Sequence, residues 1–296
     1  MRYMIIENPY AAGGESKKHF PHIEKRFRDC GVEYKAVETR NAADAEQLAY
    51  TAAKQFYDMI IAVGGDGTIN QVVNGIMKAD AHAALGIIPA GTCNDFIKSV
   101  GIPESISRAC DIILSGKTLP VDVALAGDRF FINAIGIGFD VKVVQDLALY
   151  SYLPGKLAYY AAVFKNIFRY KALPLDIHSK TDRHQMDMVM LAVTNGQYYG
   201  GSFHIAPTAD VMDGMLNVVM VHDLSAFKRV LFLPKVAKGT HLSAHNVDHF
   251  TTTELSIRSS TPLTLQIEGE LMQWPEPFIS ISSIHRGLNV ACMGDA

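Results

Sequence analysis

Three glycines and one carboxylate crowd a single turn: Gly64, Gly65, Asp66 and Gly67, followed by Thr68. An apolar run from Met59 to Val63 precedes them, with the length and branching of a buried strand. Apolar residues at 69, 72, 73 and 76 follow at helical spacing. The glycines therefore sit between a strand end and a helix start, where unpaired backbone amides and the helix dipole attract anions. Without Cβ atoms they let a phosphate approach the backbone. Asp66 would repel that phosphate, so its chemistry is to hold Mg2+, directly or through water. The alternative is a plain strand-to-helix turn with a solvated capping Asp.

A second loop of this kind, Gly91-Thr92-Cys93-Asn94-Asp95, follows the apolar run Ile87-Ile88. Thr92 offers a hydroxyl to phosphate or metal, and Asp95 is a second acid; an ordinary helix cap by Thr92 or Asn94 is compatible with both. The first loop, Asn8–Gly14, carries no charge, and Lys17 beyond it either reaches back to a phosphate or is a solvated first-turn lysine. Later, Ile267-Glu268-Gly269-Glu270 extends an apolar segment. On a strand the two glutamates share a face, and like charges that close raise one pKa, as suits a proton acceptor. Asp210 and Asp213, with the carbonyl of Met215, offer oxygen ligands to a hard cation or form Asx turns without one. His241, His245 and His249 recur every fourth residue, but zinc binding would need a helix where Asn246-Val247-Asp248 reads as a turn into a strand.

The elements that must position these groups alternate at first. Strands are expected at Tyr3–Glu7, Tyr34–Glu38, Asp58–Val63 and Ala84–Ile88, and helices at 16–29, 42–55 and 105–114. Such alternation predicts a parallel sheet covered on both faces, with ligands at the strand carboxyl ends. All three loops fall at such ends. After about Pro120 the pattern turns to hairpins, at 121–135 and 175–194, and further strands at 216–221, 254–258, 263–269, 278–281 and 288–291. These predict an antiparallel sheet or sandwich, interrupted by helices at 155–169 and 224–238. The first of those helices carries Leu157, Tyr160, Phe164 and Phe168 in one stripe, with Lys156, Lys165, Arg169 and Lys171. Such a stripe either lies on an anionic bilayer or, as its commoner use, packs in a core with snorkelling lysines.

The 296 residues suffice for two domains, and a net charge of −3 gives no global basic field for nucleic acid. Four scattered cysteines, with no C-x-x-C pair, suggest a reducing compartment. The apolar run Tyr3–Ile6 is too short for a signal peptide, and no apolar stretch reaches membrane-spanning length. A membrane role would have to be peripheral.

Taken together, these residues resemble the soluble bacterial diacylglycerol kinase family, relatives of sphingosine and ceramide kinases. The resemblance rests on GGDGTINQVVNGI (64–76), GIIPAGTCNDF (86–96), TNGQYYGGSFHIAPTADVMDGMLNV (194–218) and IEGE (267–270), in order over nearly the whole chain. It implies a Rossmann-like α/β N-terminal domain with a mostly parallel sheet, a C-terminal antiparallel β-sandwich domain, and an active site between them. The expected boundaries are 1–120, completed by 286–296, and 121–285. ATP contacts are implied from Asn8, Pro9 and on to Gly13, from Thr39, from Gly65–Thr68 and from Thr92. Gly64, Lys17, Asn94 and Asp95 join them from the loop reading. Glu270 matches the family's proton acceptor, with Glu268 as its supporting acid and Asp66 as the catalytic acid that holds Mg2+ in the glycine turn. Asp210, Asp213 and the Met215 carbonyl match a structural Mg2+ site. Two departures stand out: Glu268 where the family usually has Asp, and Ala43 where many relatives have Gly.

The expected activity is ATP- and Mg2+-dependent phosphorylation of a lipid hydroxyl, that of diacylglycerol or a related glycerolipid. The alternatives are an NAD kinase, which shares the GGDGT turn, or a non-catalytic nucleotide- or lipid-binding pseudokinase. The expected partners are ATP, a lipid at a membrane surface and, as an option, a second copy of the chain. The expected location is cytoplasmic and peripheral to the membrane.

Overall fold

The computed structural model describes residues 1–293 apart from Ala42, Ser151, Pro154 and Ser202. The expected helix start at Ala42, the Lys156 side chain and the last three residues of 286–296 lie outside the described residues. The chain divides into two compact units, Met1–Val123 with His285–Ala296, and Ala124–Ile284.

The first unit contains β1 (Arg2–Glu7), α1 (Glu15–Asp29), β2 (Glu33–Glu38), α2 (Asp44–Lys54), β3 (Met59–Gly64), α3 (Asp66–Lys78), β4 (Ala84–Pro89), α4 (Phe96–Ser99) and α5 (Ile106–Ser115). The strands pair in the order β2-β1-β3-β4, all parallel. Every residue of β3 and β4 is buried, as a sheet covered on both faces requires. Phe27 of α1 is fully buried and meets Tyr3 of β1 edge to face, with ring centroids 5.6 Å apart. Helices α2 and α3 approach through small residues. A Cβ on Gly75 would lie 2.4 Å from the Glu46 carbonyl oxygen and 2.6 Å from Ala49 Cβ. The alanine-rich sequence of α2 and the glycine inside α3 thus have one cause, a close helix–helix contact. That contact outweighs the roughly 1 kcal/mol of helix propensity that glycine forfeits against alanine.

The strand β5 (Thr118–Ala126) leads into the second unit. There follow β6 (Arg129–Phe131), β7 (Ala134–Gly138), α6 (Phe139–Asp146), α7 (Gly155–Ile167), β8 (Leu173–Ser179), β9 (Arg183–Thr194), β10 (Tyr198–Tyr199), β11 (Phe203–His204), β12 (Leu216–His222) and α8 (Ala226–Ala237). The unit ends with β13 (Val247–Thr252), β14 (Glu254–Ser259), β15 (Leu263–Ile267), β16 (Glu270–Trp274) and β17 (Phe278–Ala291), whose last residues belong to the first unit and pair parallel with β4 at Val290 and Leu85. Pairing within the second unit is antiparallel, and alternate residues of these strands form one core around Ile137, Ile177, Leu191, Val218, Leu265 and Ile281. The two strands expected at 278–281 and 288–291 are one continuous strand, and α6 appears where no helix was expected.

The stripe that runs along α7 and ends at Phe168, just beyond it, departs from its commoner use. Leu157, Tyr160, Phe164 and Phe168 are all exposed, while Ala158, Ala162, Val163 and Ile167 pack inward. Apolar residues on both sides of the helix made the inward face ambiguous; the small and β-branched side chains fit against α6, and the aromatics do not. The three histidines do not share a helix either: His241 lies in a one-turn 3-10 helix and His249 on β13.

The α2–α3 contact sets an expected outcome. Gly75→Ala, although favoured by helix propensity, should cost about 1–3 kcal/mol through overpacking. A lowered thermal midpoint by circular dichroism would show it, and an unchanged or raised midpoint would refute the contact.

Candidate active site

The parallel register brings the nucleotide-type loops to one edge of the first unit. Glu7 pairs with Glu38 on one side and Val63 on the other, and Gly64 pairs with Pro89. Asn8, Thr39, Gly64–Thr68 and the loop after Pro89 therefore all leave strand carboxyl ends at one level. Asn8 Nδ2 donates to Thr68 Oγ1 at 3.0 Å, and Asn8 Oδ1 accepts from the Tyr10 amide. The Thr39 amide donates to the Glu7 carbonyl at 2.7 Å. Thr39, Thr68, Asn94 and Asp95 are buried, whereas Gly13, Lys17 and Thr92 are exposed. Pro9 is buried beneath its loop. Because α3 begins at Asp66, the amides of Asp66, Gly67 and Thr68 fall in its first turn, without intrahelical acceptors.

The glycines have a second use that phosphate approach alone does not require. A Cβ on Gly91 would lie 2.2 Å from Gly65 Cα and 2.8 Å from Asn94 Oδ1. The two loops thus touch backbone to backbone. Asp66 crosses the same seam: its Oδ1 accepts from the amides of Asp95 at 2.8 Å and Phe96 at 3.3 Å. Asn94, with φ +50°, closes its own loop by exchanging hydrogen bonds with the Gly91 amide and carbonyl. Asp66 is therefore no freely solvated cap; it braces one phosphate-type loop to the next. Burial, and secondly the negative charge of Asp95, push its carboxyl up to about 6. Asp95 is held by Lys98 at 2.6 Å. Two adjacent acids whose charges oppose each other fit a divalent cation, which would relieve both.

In the second unit, Glu268 and Glu270 do not share a strand. β15 ends at Ile267, β16 begins at Glu270, and Glu268 and Gly269 form the two-residue turn between them, with φ +53° and +82°. Positive φ at both positions makes a type I′ hairpin turn, for which Asp or Asn before Gly is the ordinary choice. The strand-face argument for the pair therefore fails, because the period of two stops at the turn. Glu268 is buried, and its Oε1 accepts from the amides of Ile132 at 3.0 Å and Asn133 at 2.7 Å. Glu270 is exposed. Asp210 and Asp213 each close an Asx turn, onto the amides of Met212 and Met215 at 3.0 and 2.8 Å. Both carboxylates are exposed, and oxygen donors of that kind suit Mg2+. Among the described residues no group of three or more His, Cys, Asp or Glu clusters as a metal site, so the histidine series brings none.

Sequence reasoning missed one feature of this unit. An apolar pocket is walled by α7, α8 and the strands beneath, with Val163, Ile167, Met190, Phe232 and Val236 among its lining. One acid, Asp140, opens into it. Asp140 is buried, receives a hydrogen bond from Gln266 Nε2 at 3.3 Å, and keeps Oδ1 without a partner among the described residues. Burial raises its carboxyl to about 6, against the lowering effect of the Tyr199 hydroxyl and Gln266. Gln266 Oε1 in turn accepts from the Gly269 amide at 2.6 Å, so one side chain links the pocket acid to the Glu268–Gly269 turn. Asp140 stands alone among apolar residues in the sequence, with no spacing signal to mark it.

Residues 2–126 match the diacylglycerol kinase catalytic domain, and residues 133–281 the YegS C-terminal NAD kinase beta sandwich-like domain. The diacylglycerol kinase of Bacillus subtilis (strain 168) is 30% identical over 91% of this chain and 89% of its own length. The chain belongs to the diacylglycerol kinase family. A diacylglycerol kinase from Staphylococcus haemolyticus (strain JCSC1435) is 31% identical over 90% of the chain and 81% of its own length. Two solved Bacillus anthracis str. Sterne structures share the fold. One superposes at a TM-score of 0.84, with 24% identity, covering 99% of this chain and 95% of its own. The other, a diacylglycerol kinase, gives 0.75 with 21% identity, covering 99% and 97%. This diacylglycerol kinase family member is thus a phosphotransferase with an alcohol acceptor and a nucleotide substrate, built from an α/β region and an antiparallel β-sandwich. No helix among its described residues is long and apolar enough to cross a membrane.

Beneath the first loop lies one further acid. Glu7 is fully buried; Oε1 accepts from Ser16 Oγ at 3.3 Å, and Oε2 has no partner among the described residues. Burial, then the nearby Glu38, push its carboxyl up to about 7. The folded state therefore keeps this proton longer than the unfolded chain does, and stability falls as pH climbs from the ordinary carboxylate range through about 7. Glu7→Gln should melt above wild type at pH 8, and the gap should close as pH drops toward 4.5, the ordinary value for glutamate. Melting curves that stay parallel across that range would contradict the assignment.

Proposed function

We propose that this kinase transfers the γ-phosphate of ATP, with Mg2+, to the hydroxyl of diacylglycerol or a related glycerolipid. The observation that carries the lipid acceptor is the apolar pocket between α7 and α8, whose lining suits a hydrocarbon tail. Its one buried acid, with an oxygen to spare, suits a hydroxyl donor near that tail. The phosphates lie on the amides of Gly65–Thr68 and the hydroxyl of Thr92, with Asn8, Thr39 and Lys17 around the nucleotide. Domains at 1–120 with 286–296, and at 121–285, divide these two tasks.

Asp66 and Asp95 would hold the nucleotide's Mg2+, and Asp210, Asp213 and the Met215 carbonyl a structural one. When bound, the ion offsets charge on the phosphate oxygens. Glu270, exposed at the start of β16, takes the proton from the lipid hydroxyl as its oxygen bonds to the γ-phosphorus and the bond to the leaving ADP breaks. Glu268 positions that turn through its two amide bonds. The enzyme works in the cytoplasm, peripheral to the membrane.

Label from γ-labelled ATP should enter diacylglycerol in mixed micelles and not NAD; the reverse would make the chain an NAD kinase. Glu270→Gln should lower kcat by about 10²–10⁴-fold with ATP affinity nearly unchanged. Normal turnover in that variant beside a dead Glu268→Gln would reverse the two roles. Asp66→Ala should lose transfer, and restored activity in Asp66→Asn would show that the brace, not the charge, is what matters.

A further inference from the structure

Gln266 is fully buried on β15 and faces away from the core that Leu265 and Ile267 enter. A buried carboxamide must find partners for both of its ends. Gln266 finds them in two different parts of the second unit. Its Oε1 accepts from the Gly269 amide at 2.6 Å, in the turn that leads directly into Glu270. Its Nε2 donates to Asp140 Oδ2 at 3.3 Å, in the first turn of α6. The direction of each bond is forced. A backbone N–H only donates, so Oε1 must face Gly269, and that leaves Nε2 for the carboxylate. The neighbouring strand makes room for this bridge. Gly136 of β7 pairs with Gln266, and a Cβ on it would fall 1.7 Å from Asp140 Oδ2 and 2.8 Å from Gln266 Nε2. Gly136 is not in the left-handed region, so the bridge rather than the backbone conformation calls for glycine there. Asp140 lines the apolar pocket, and Gln266 does not.

We infer that Gln266 is a positioning residue for phosphoryl transfer, one that ties the seating of the lipid acceptor at Asp140 to the placement of the turn before Glu270. The inference rests on the lipid kinase reading and adds to it a residue outside the pocket lining. The two oxygens of Asp140 have separate tasks. Oδ2 holds Gln266, and Oδ1, without a partner among the described residues, is left for the acceptor. A hydroxyl that donates to Oδ1 fixes the carboxylate, and the carboxylate fixes the carboxamide that holds Gly269. The bonds also reinforce one another: an anion at Nε2 makes Oε1 the stronger acceptor for the Gly269 amide. On its other side the turn is held by Glu268, through the amides of Ile132 and Asn133. The bond at Gly269 is the contact of that turn that leads to the pocket. Gly269 is one peptide away from Glu270, so a shift at its amide moves the proposed base directly.

Reversing the polarity of the bridge is the test, on the full chain with ATP and dioctanoylglycerol. Gln266→Leu removes both bonds and should lower kcat by about 10–10²-fold, with KM for ATP and for the lipid nearly unchanged. Gln266→Glu still accepts from Gly269 but sets a second carboxylate against Asp140, and should lower kcat as well. Adding Asp140→Asn to Gln266→Glu lets the new amide donate to the glutamate while its oxygen still accepts from the lipid. That pair should recover at least about tenfold of the loss, a coupling ordinary for residues in one hydrogen-bond network. These exchanges keep the heavy-atom shapes, so a role in packing alone would not produce the recovery. A second readout is the Gly269 amide resonance of nitrogen-labelled protein, which dioctanoylglycerol should shift in wild type and not in Gln266→Leu. Wild-type kcat in Gln266→Leu, or a double variant no better than Gln266→Glu, would overturn the inference. So would a Gly269 resonance that the lipid moves equally in wild type and Gln266→Leu. Should Gln266→Leu not fold, the isosteric exchange decides alone. Wild type that phosphorylates no lipid, but whose Gly269 resonance answers to dioctanoylglycerol only when Gln266 is present, would uphold the bridge and sink the kinase reading instead.

Discussion

Gly65 and Gly91 lie so close that a Cβ on either meets the other's backbone, and the Asp66 carboxylate spans the same seam. That contact fixes the relation of two loops that leave different strands. β3 and β4 are parallel and adjacent, so their carboxyl ends already lie level; the glycines then let the loops close on each other. Asp66 accepts from the amides of Asp95 and Phe96 at the start of a four-residue helix, where no intrahelical acceptor is available. Loops braced to each other in this way have less conformational freedom to lose than loops that stand apart.

The second unit uses the same economy of buried acceptors. Glu268 holds the amides of Ile132 and Asn133, and Gln266 holds the amide of Gly269. A non-glycine residue at φ +53° is disfavoured in isolation, and two short hydrogen bonds to a carboxylate offset that cost. The turn that presents Glu270 is therefore set by its neighbours on three sides, while Glu270 itself stays in solvent. The unit keeps one acid buried and hydrogen-bonded and the next exposed.

The parts of this molecule that were legible in the sequence are those governed by period and punctuation. Fully apolar runs at 59–63 and 84–88 have the length of buried strands, and the glycines after them mark where the strands stop. The Glu268–Gly269–Glu270 step was misread because a period of two looks the same whether a strand continues or reverses; only the glycine at the end of an apolar run hinted at a turn. The α7 stripe was misread for the opposite reason: apolar residues occupy both faces, and which face turns inward depends on the shape of α6 and α8. Single acids in apolar surroundings, Glu7 and Asp140, carry no spacing signal at all. Their burial follows from strands and helices that meet only in three dimensions.

One consequence follows from the path of β17. Its first residues finish the antiparallel unit, and its last ones lie beside β4 in the first. On the ribosome, β4 is made about two hundred residues earlier than its partner, so its edge waits unpaired while the intervening strands are synthesised. The nucleotide-type unit begins first and closes last. Vectorial synthesis thus exposes an apolar sheet edge for most of the chain's birth, and a chaperone or a stop in translation would meet the protein there.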